Sequence, residues 1–190
     1  MILNFIISLD LRVNALLLLL RDPLAIKFFH VITFFGEVFV VGILALLASA
    51  LLWRAGKKYH MVALWLSIIG SEGITFLLKI SIQRARPLDA LVLETSNSFP
   101  SGHATLAIAF YGFIAYLLLQ KMKKSKYRIP VFILFILFIF AIGFSRLYLG
   151  VHYLSDVCVG SVIGLVGLVA SIVVGKNKIF QAYVDKFLKR

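Results

Sequence analysis

The chain has 190 residues, with 20 Lys and Arg against 8 Asp and Glu for a formal net charge of +12; 62% of it is hydrophobic and only 15% charged. Soluble globular domains are nearer half apolar and about a quarter charged. A mean hydropathy of +1.01 therefore excludes disorder, a nucleic-acid-binding arm and a water-soluble enzyme of ordinary surface, because too few charges remain to coat the molecule. The chain belongs in a bilayer, and no nucleic acid is expected among its partners. The single Cys158 lies in an apolar run and offers neither an internal disulfide nor a thiolate cluster, so it reads as a core residue.

In chain order, Met1 to Leu9 is apolar, but Asp10 and Arg12 interrupt the stretch and would be costly at the bilayer centre. Residues 1–28 therefore read as an interfacial N-terminal segment, with a tilted sixth span as the alternative. Met1 to Leu9 carries no charged side chain and Arg21-Asp22-Pro23 reads as a turn, which is not the layout of a secretory signal. Crossing about 30 Å of hydrocarbon takes roughly 20 apolar residues, and five windows approach that length. They run from Val31 to Leu52, Met61 to Leu78, Ala104 to Leu119, Ile129 to Ser145 and Val157 to Gly175. Lipid leaves no partner for free backbone groups, so these segments are expected to be helices, and Pro130 suits the first turn of the fourth. Without linkers or clear repeats, the expectation is an all-α membrane protein: one polytopic helix bundle over residues 1–190, about five spans plus the N-terminal helix.

Basic residues set the orientation, since Lys- and Arg-rich loops are kept on the cytoplasmic side. Thirteen of the twenty follow the first, third and fifth windows: Arg54, Lys57 and Lys58; Lys121, Lys123, Lys124, Lys126 and Arg128; Lys176, Lys178, Lys186, Lys189 and Arg190. That face reads as cytoplasmic, with residues 176–190 as a basic cytoplasmic tail.

Three polar clusters fall together at the opposite, outer end: Lys79 to Pro87, Pro100 to His103 and Ser145 to Asp156. They supply three cations (Lys79, Arg86, Arg146), two imidazoles (His103, His152), the Ser101 hydroxyl and the Asp156 carboxylate. Arginine forks match phosphate oxygens in pairs and lysine acts as a point charge, so the set suits a phosphoryl group. Ser101 and Gly102 stand where a helix begins, with free amide donors and a glycine that lets backbone approach an anion. His152 and Asp156 are four residues apart, and a carboxylate beside an imidazole fixes its tautomer and stabilises its cation.

The residues resemble the type 2 phosphatidic acid phosphatase superfamily of membrane lipid phosphatases, related to vanadium haloperoxidases. Its three motifs occur in order, as Lys79-Ile-Ser-Ile-Gln-Arg-Ala-Arg86-Pro87, Pro100-Ser101-Gly102-His103 and Ser145-Arg146-Leu-Tyr-Leu-Gly-Val-His152-Tyr-Leu-Ser-Asp156. The catalytic motif region is thus 79–156. The resemblance implies that His152 is the nucleophile, forming a phosphohistidine, that His103 is the general acid, and that Asp156 orients His152. It implies that Lys79, Arg86, Ser101, Gly102 and Arg146 hold the phosphoryl oxygens, with no metal or other cofactor.

The implied substrate is a membrane lipid phosphate or pyrophosphate, of the polyprenyl pyrophosphate or phosphatidylglycerophosphate type, in a bacterial inner membrane with the site on the outer face. Alternatives are a lipid A 1-phosphatase, a lipid phosphotransferase using the same phosphohistidine and, outside enzymes, a transporter or channel. Oligomeric state is not legible. Ser145 and Pro87 read as structural, and Arg84 as either structural or substrate-touching. Glu72 reads as a structural partner beneath Lys79, Glu37 as an interfacial residue and Leu88 to Phe99 as a lid or a plain surface loop.

Overall fold

The structure is a computed structural model that describes residues 1–188; Lys189 and Arg190 of the expected basic tail lie outside the described residues. The elements are α1 (Ile2–Leu19), α2 (Pro23–Phe34), α3 (Val38–Arg54), α4 (Lys58–Ile82), α5 (Gly102–Leu106), a π-helical segment (Ala107–Gly112), α6 (Phe113–Lys121), α7 (Arg128–Tyr148), α8 (Leu154–Lys176) and α9 (Lys178–Leu188). No strand occurs among the described residues. Five helices are long and apolar enough to cross a membrane, namely α1, α4, the continuous run Gly102–Lys121, α7 and α8. A sixth span results if α2 and α3 count as one. The chain is an all-α membrane protein of about the expected number of spans.

Two elements differ in detail from the expectation. The window Val31 to Leu52 is not one helix but the end of α2 and most of α3, bent by 46°. α2 begins early, because Asp22 caps it by accepting from the amides of Leu24 (2.9 Å) and Ala25 (3.1 Å), with Pro23 in the first turn. At the bend, a Cβ on Gly36 would lie 2.7 Å from His103 Cδ2 and 2.8 Å from Ile142 Cγ2, so the backbone passes there only without a side chain. The N-terminal stretch is a single helix whose Asp10, expected at the interface, is buried in protein. Asp10 meets Ser155 at the start of α8, while Leu20 just beyond α1 meets Tyr148 at the end of α7. The second half of α1 therefore bridges two helix ends at one end of the bundle.

The main core gathers Val41 and Ala45 of α3, Leu64 and Ile68 of α4, Leu106, Phe110 and Phe113 of the α5–α6 run, and Ile142 of α7. A smaller cluster of Leu17, Ala104, Leu147, Tyr148 and Val157 closes the end where α1 crosses. Large apolar side chains on the outside of α7, such as Phe132, Leu134, Leu137 and Phe140, are exposed, as a lipid-facing surface requires.

Small residues bring the helices that carry the polar clusters into close contact. A Cβ at Gly160 of α8 would collide with the Ser101 carbonyl and come within 3.2 Å of Thr105 Oγ1. The Thr105 hydroxyl lies 3.0 Å from the carbonyls of Ser101 and Gly160 and 3.1 Å from Thr75 Oγ1, linking α5, α8 and α4 at one buried point. Hydroxyl bonds between apolar helices replace hydration that lipid cannot give.

Candidate active site

The first cluster begins in the last turn of α4, where Lys79 Nζ donates to the Asn97 carbonyl at 2.5 Å and Asn97 Nδ2 donates back to the Lys79 carbonyl at 3.1 Å. This pair pins the long segment 83–101 over the helix end. Gln83 stops α4 in a left-handed conformation (φ 49°), and the chain then turns to present Arg84 and Arg86. Arg86 donates from Nε to the Ser96 carbonyl (2.8 Å) and from Nη1 to the Val151 carbonyl (2.8 Å), and Nη1 lies 3.3 Å from His152 Nε2.

The second cluster opens α5. Ser101 is its N-cap residue and is fully buried; its amide donates to the Asp156 carbonyl at 3.0 Å, which fixes the Ser101–His103 turn against the start of α8. His103 Nε2 stands 3.1 Å from Glu37 Oε1. The third cluster spans the end of α7 and the start of α8. Arg146, 1% exposed, donates from Nη1 to Thr33 Oγ1 at 2.7 Å and from Nη2 to Glu94. Asp156 sits in the first turn of α8, accepting from the Tyr153 amide at 2.9 Å with Oδ2 and from Arg84 Nη1 at 2.7 Å with Oδ1.

His152 Nδ1 lies 3.5 Å from Asp156 Oδ2, too long for a strong hydrogen bond in this arrangement. Burial holds the His152 imidazole well below its ordinary range, down to about 4; Asp156 opposes that fall, and Arg146 and Arg86 add to it. The ring is therefore neutral near pH 7, the form in which a ring nitrogen has a lone pair to offer.

The eight residues expected from sequence thus come together at one end of the bundle. Arg86 touches His152, His152 neighbours Asp156, Asp156 bonds the Ser101 turn, Lys79 is within electrostatic reach of Arg86 and Asp156, and Arg146 is within electrostatic reach of both His103 and His152. Ser98 Oγ, Ser101 Oγ, Arg146 Nε and His152 Nδ1 are all buried without a hydrogen-bond partner. Orphaned groups of this kind are expensive unless a ligand completes them. Three of the four residues are hydroxyl or guanidinium donors, which suits a phosphoryl oxyanion.

Four acidic residues have places that sequence reasoning did not give them. Glu94, in the segment expected to be a lid or a plain surface loop, is bonded to Arg146 and lies 3.7 Å from Arg86. Burial pushes its carboxyl up, but Arg146 and Arg86 outweigh burial and hold it below the ordinary carboxylate range. Glu37 contacts His103 instead of merely reaching the interface. Asp10 binds Arg84, which reaches two aspartates, Asp10 and Asp156. Glu72 is within electrostatic reach of Lys79 but makes no direct ion pair with it: one of its oxygens is buried without a hydrogen-bond partner, and the carboxylate lies 3.8 Å from where a Cβ on Gly102 would sit.

Residues 60–180 match the PAP2 superfamily. The chain belongs to this family. It is 32% identical over 166 residues to phosphatidylglycerophosphatase B of Bacillus subtilis (strain 168), a match covering 85% of this chain and 81% of that protein. Over a shorter stretch of 72 residues, 38% of this chain and 30% of the other, it is 38% identical to the bacitracin transport permease protein BcrC of Bacillus licheniformis. The fold is similar to the crystal structure of a transmembrane PAP2-type phosphatidylglycerolphosphate phosphatase from Bacillus subtilis, with TM-score 0.82, 30% identity, and coverage of 88% of this chain and 85% of that one. It is also similar to Aquifex aeolicus LpxE, with TM-score 0.66, 27% identity, and coverage of 86% and 94%. All eight expected site residues lie within the PAP2 match, whereas Asp10 and Glu37 precede it.

Proposed function

We propose that this PAP2 protein is an integral membrane lipid phosphatase that hydrolyses a terminal phosphate from a lipid phosphate or pyrophosphate through a phosphohistidine, without a metal. The reading is carried by the neutral, buried His152 placed between Asp156 and Arg86, together with the buried, unpartnered donors of Ser101 and Arg146. His152 Nε2 attacks phosphorus as the bond from phosphorus to the leaving oxygen breaks. His103 gives that oxygen its proton, and the Nδ1 proton of His152 stays between the imidazole and Asp156. Water then attacks the phosphohistidine, His103 takes up a proton, the P–N bond breaks and inorganic phosphate leaves.

Lys79, Arg86 and Arg146, with the Ser101 hydroxyl and the Gly102 amide, carry the phosphoryl oxygens. Their charge does the work a metal would otherwise do, since phosphoryl transfer is catalysed mainly by positioning and electrostatics. In the present arrangement Glu37 accepts from His103, so the leaving oxygen takes over that contact when substrate binds.

The basic loops support a cytoplasmic C-terminus and a site on the outer face of a bacterial inner membrane. The relatives named for phosphatidylglycerophosphate favour a substrate of that type, with polyprenyl pyrophosphate next. The polar groups gather at one end of the bundle, unlike a transporter, whose sites usually sit near the midplane.

The test is hydrolysis of a panel of lipid phosphates by purified protein, with phosphate release measured with and without a lipid acceptor and with excess EDTA. Turnover is expected to vanish in His152→Ala and to survive the chelator. Substantial hydrolysis by His152→Ala refutes the nucleophile, and metal-reversible inhibition by EDTA refutes the metal-free chemistry. Transfer to the acceptor in place of free phosphate would make the protein a phosphotransferase.

A further inference from the structure

We propose that Asp10 of the N-terminal helix is a positioning residue for phosphoryl transfer, acting through Arg84 and Ser155 on Asp156 and so on His152. A carboxylate in the middle of an apolar helix is costly unless fully partnered, and this one is. Asp10 is 2% exposed. Its Oδ1 accepts from the Ser155 amide at 2.8 Å, and its Oδ2 accepts from Ser155 Oγ at 2.6 Å and from Arg84 Nη2 at 2.8 Å.

Arg84 completes the link. Its Nη1 donates to Asp156 Oδ1 at 2.7 Å and to Ser155 Oγ at 2.7 Å, and its guanidinium lies 4.1 Å over the Tyr153 ring. One guanidinium is thus shared between two carboxylates, one arm to each, with the Ser155 hydroxyl accepting from Arg84 and donating to Asp10. Asp156 has its Oδ1 held by Arg84 and its Oδ2 left toward His152 Nδ1.

Packing alone explains why α1 docks: Leu17 belongs to the cluster that includes Leu147, Tyr148 and Val157. It does not explain a buried charge. The charge has a specific consequence for Asp156. With Asp10 present, part of the Arg84 charge is balanced from outside the His152 pair. Without it, the whole cation falls on Asp156 and competes with the imidazole for the carboxylate when the phosphohistidine forms. Asp10 also precedes the stretch that matches the family, so this support for the site is contributed by the N-terminal helix.

The inference rests on the phosphohistidine reading, and the two fail separately: if that reading is wrong, His152→Ala retains turnover. If only the present inference is wrong, His152→Ala is inactive and Asp10→Asn is near normal. The experiment uses the full chain in proteoliposomes containing phosphatidylglycerophosphate, measuring kcat, KM and the Ki of orthovanadate. Asp10→Asn is expected to lower kcat roughly 10- to 100-fold, by analogy with the scale on which outer partners of metal-bound histidines act. KM and the orthovanadate Ki stay within about twofold of wild type, because Lys79, Arg86 and Arg146 are untouched.

Asp10→Glu, which restores the charge, recovers part of the loss. In an Asp156→Asn background, adding Asp10→Asn costs less than about twofold, since the two act through one path. A kcat within about threefold of wild type overturns the proposal. So does a fall in kcat matched by an equal rise in KM or Ki, or an undiminished loss in the Asp156→Asn background. Should Asp10→Asn fail to accumulate, Ser155→Ala removes the shared hydroxyl while keeping every charge. It is expected to lower kcat about threefold or more at constant Ki, and an unchanged kcat overturns the proposal equally.

Discussion

Glu94 lies where the substrate's phosphoryl oxygens are expected to bind, and replacing it by Gln should tighten the binding of phosphate itself. Its carboxylate is bonded to Arg146 and stands 3.7 Å from Arg86, so an incoming phosphoryl group has to displace one anion before it can be clamped. At 3.7 Å, unit charges attract by about 4.5 kcal/mol at an effective dielectric of ~20 and by about 1 kcal/mol in bulk water. Glu94 keeps 24% of its side chain exposed, which places the net value between those limits, at about 1.5–3 kcal/mol for a charge-assisted contact.

Removing the competing charge should therefore strengthen phosphate binding by about 10- to 150-fold. The assay is the Ki of inorganic phosphate and of orthovanadate against hydrolysis of a lipid phosphate, wild type against Glu94→Gln. Ki is expected to fall at least about tenfold and kcat not to rise, because product leaves a tighter clamp more slowly. Because the arginines hold the Glu94 carboxyl below its ordinary range, it stays ionised at neutral pH. The gap between wild type and variant therefore closes only as pH falls below the usual carboxylate range. An unchanged or higher Ki in Glu94→Gln would show that the carboxylate does not compete for the clamp, and the reasoning fails.

His103→Ala should lower kcat by about 100- to 10,000-fold on an alkyl phosphate and clearly less on p-nitrophenyl phosphate, whose leaving group needs no proton; equal losses on both refute the general-acid role. His152 is held down to about 4 against an ordinary value near 6.5, so its contribution to stability is complete above about 6.5 and is lost as pH falls through about 4. The thermal midpoint of wild type should thus fall more steeply from pH 6.5 to 4 than that of His152→Gln, and parallel profiles would count against the buried neutral ring. Gly160→Ala places a methyl group against the Ser101 carbonyl, a clash with backbone that should cost about 1–3 kcal/mol and pull the Ser101–His103 turn off the site. Unaltered melting and unaltered kcat in that variant would remove the close approach from the account.

The membrane class and the eight motif residues were legible because each leaves a local mark. Apolar windows give spans by length, and Lys79, Arg86, His103, His152 and Asp156 stand at spacings that resemble the motifs of the PAP2 family, which residues 60–180 match. What could not be read is how the chain neutralises that much positive charge. Glu94, Glu37 and Asp10 each sit in a segment whose local pattern is unremarkable: a mixed loop, a bend and an apolar helix. Their partners are 52, 66 and 74 residues away, for Arg146, His103 and Arg84 respectively. A sequence window cannot register a pairing at that separation, and burial of the arginines is what makes the pairing necessary. The same logic explains why the burial of Asp10 within the protein was not legible. A lone carboxylate in an apolar helix reads as interfacial, and Arg84, the cation that reaches it, becomes available only after α4 has ended and the chain has turned at Gln83.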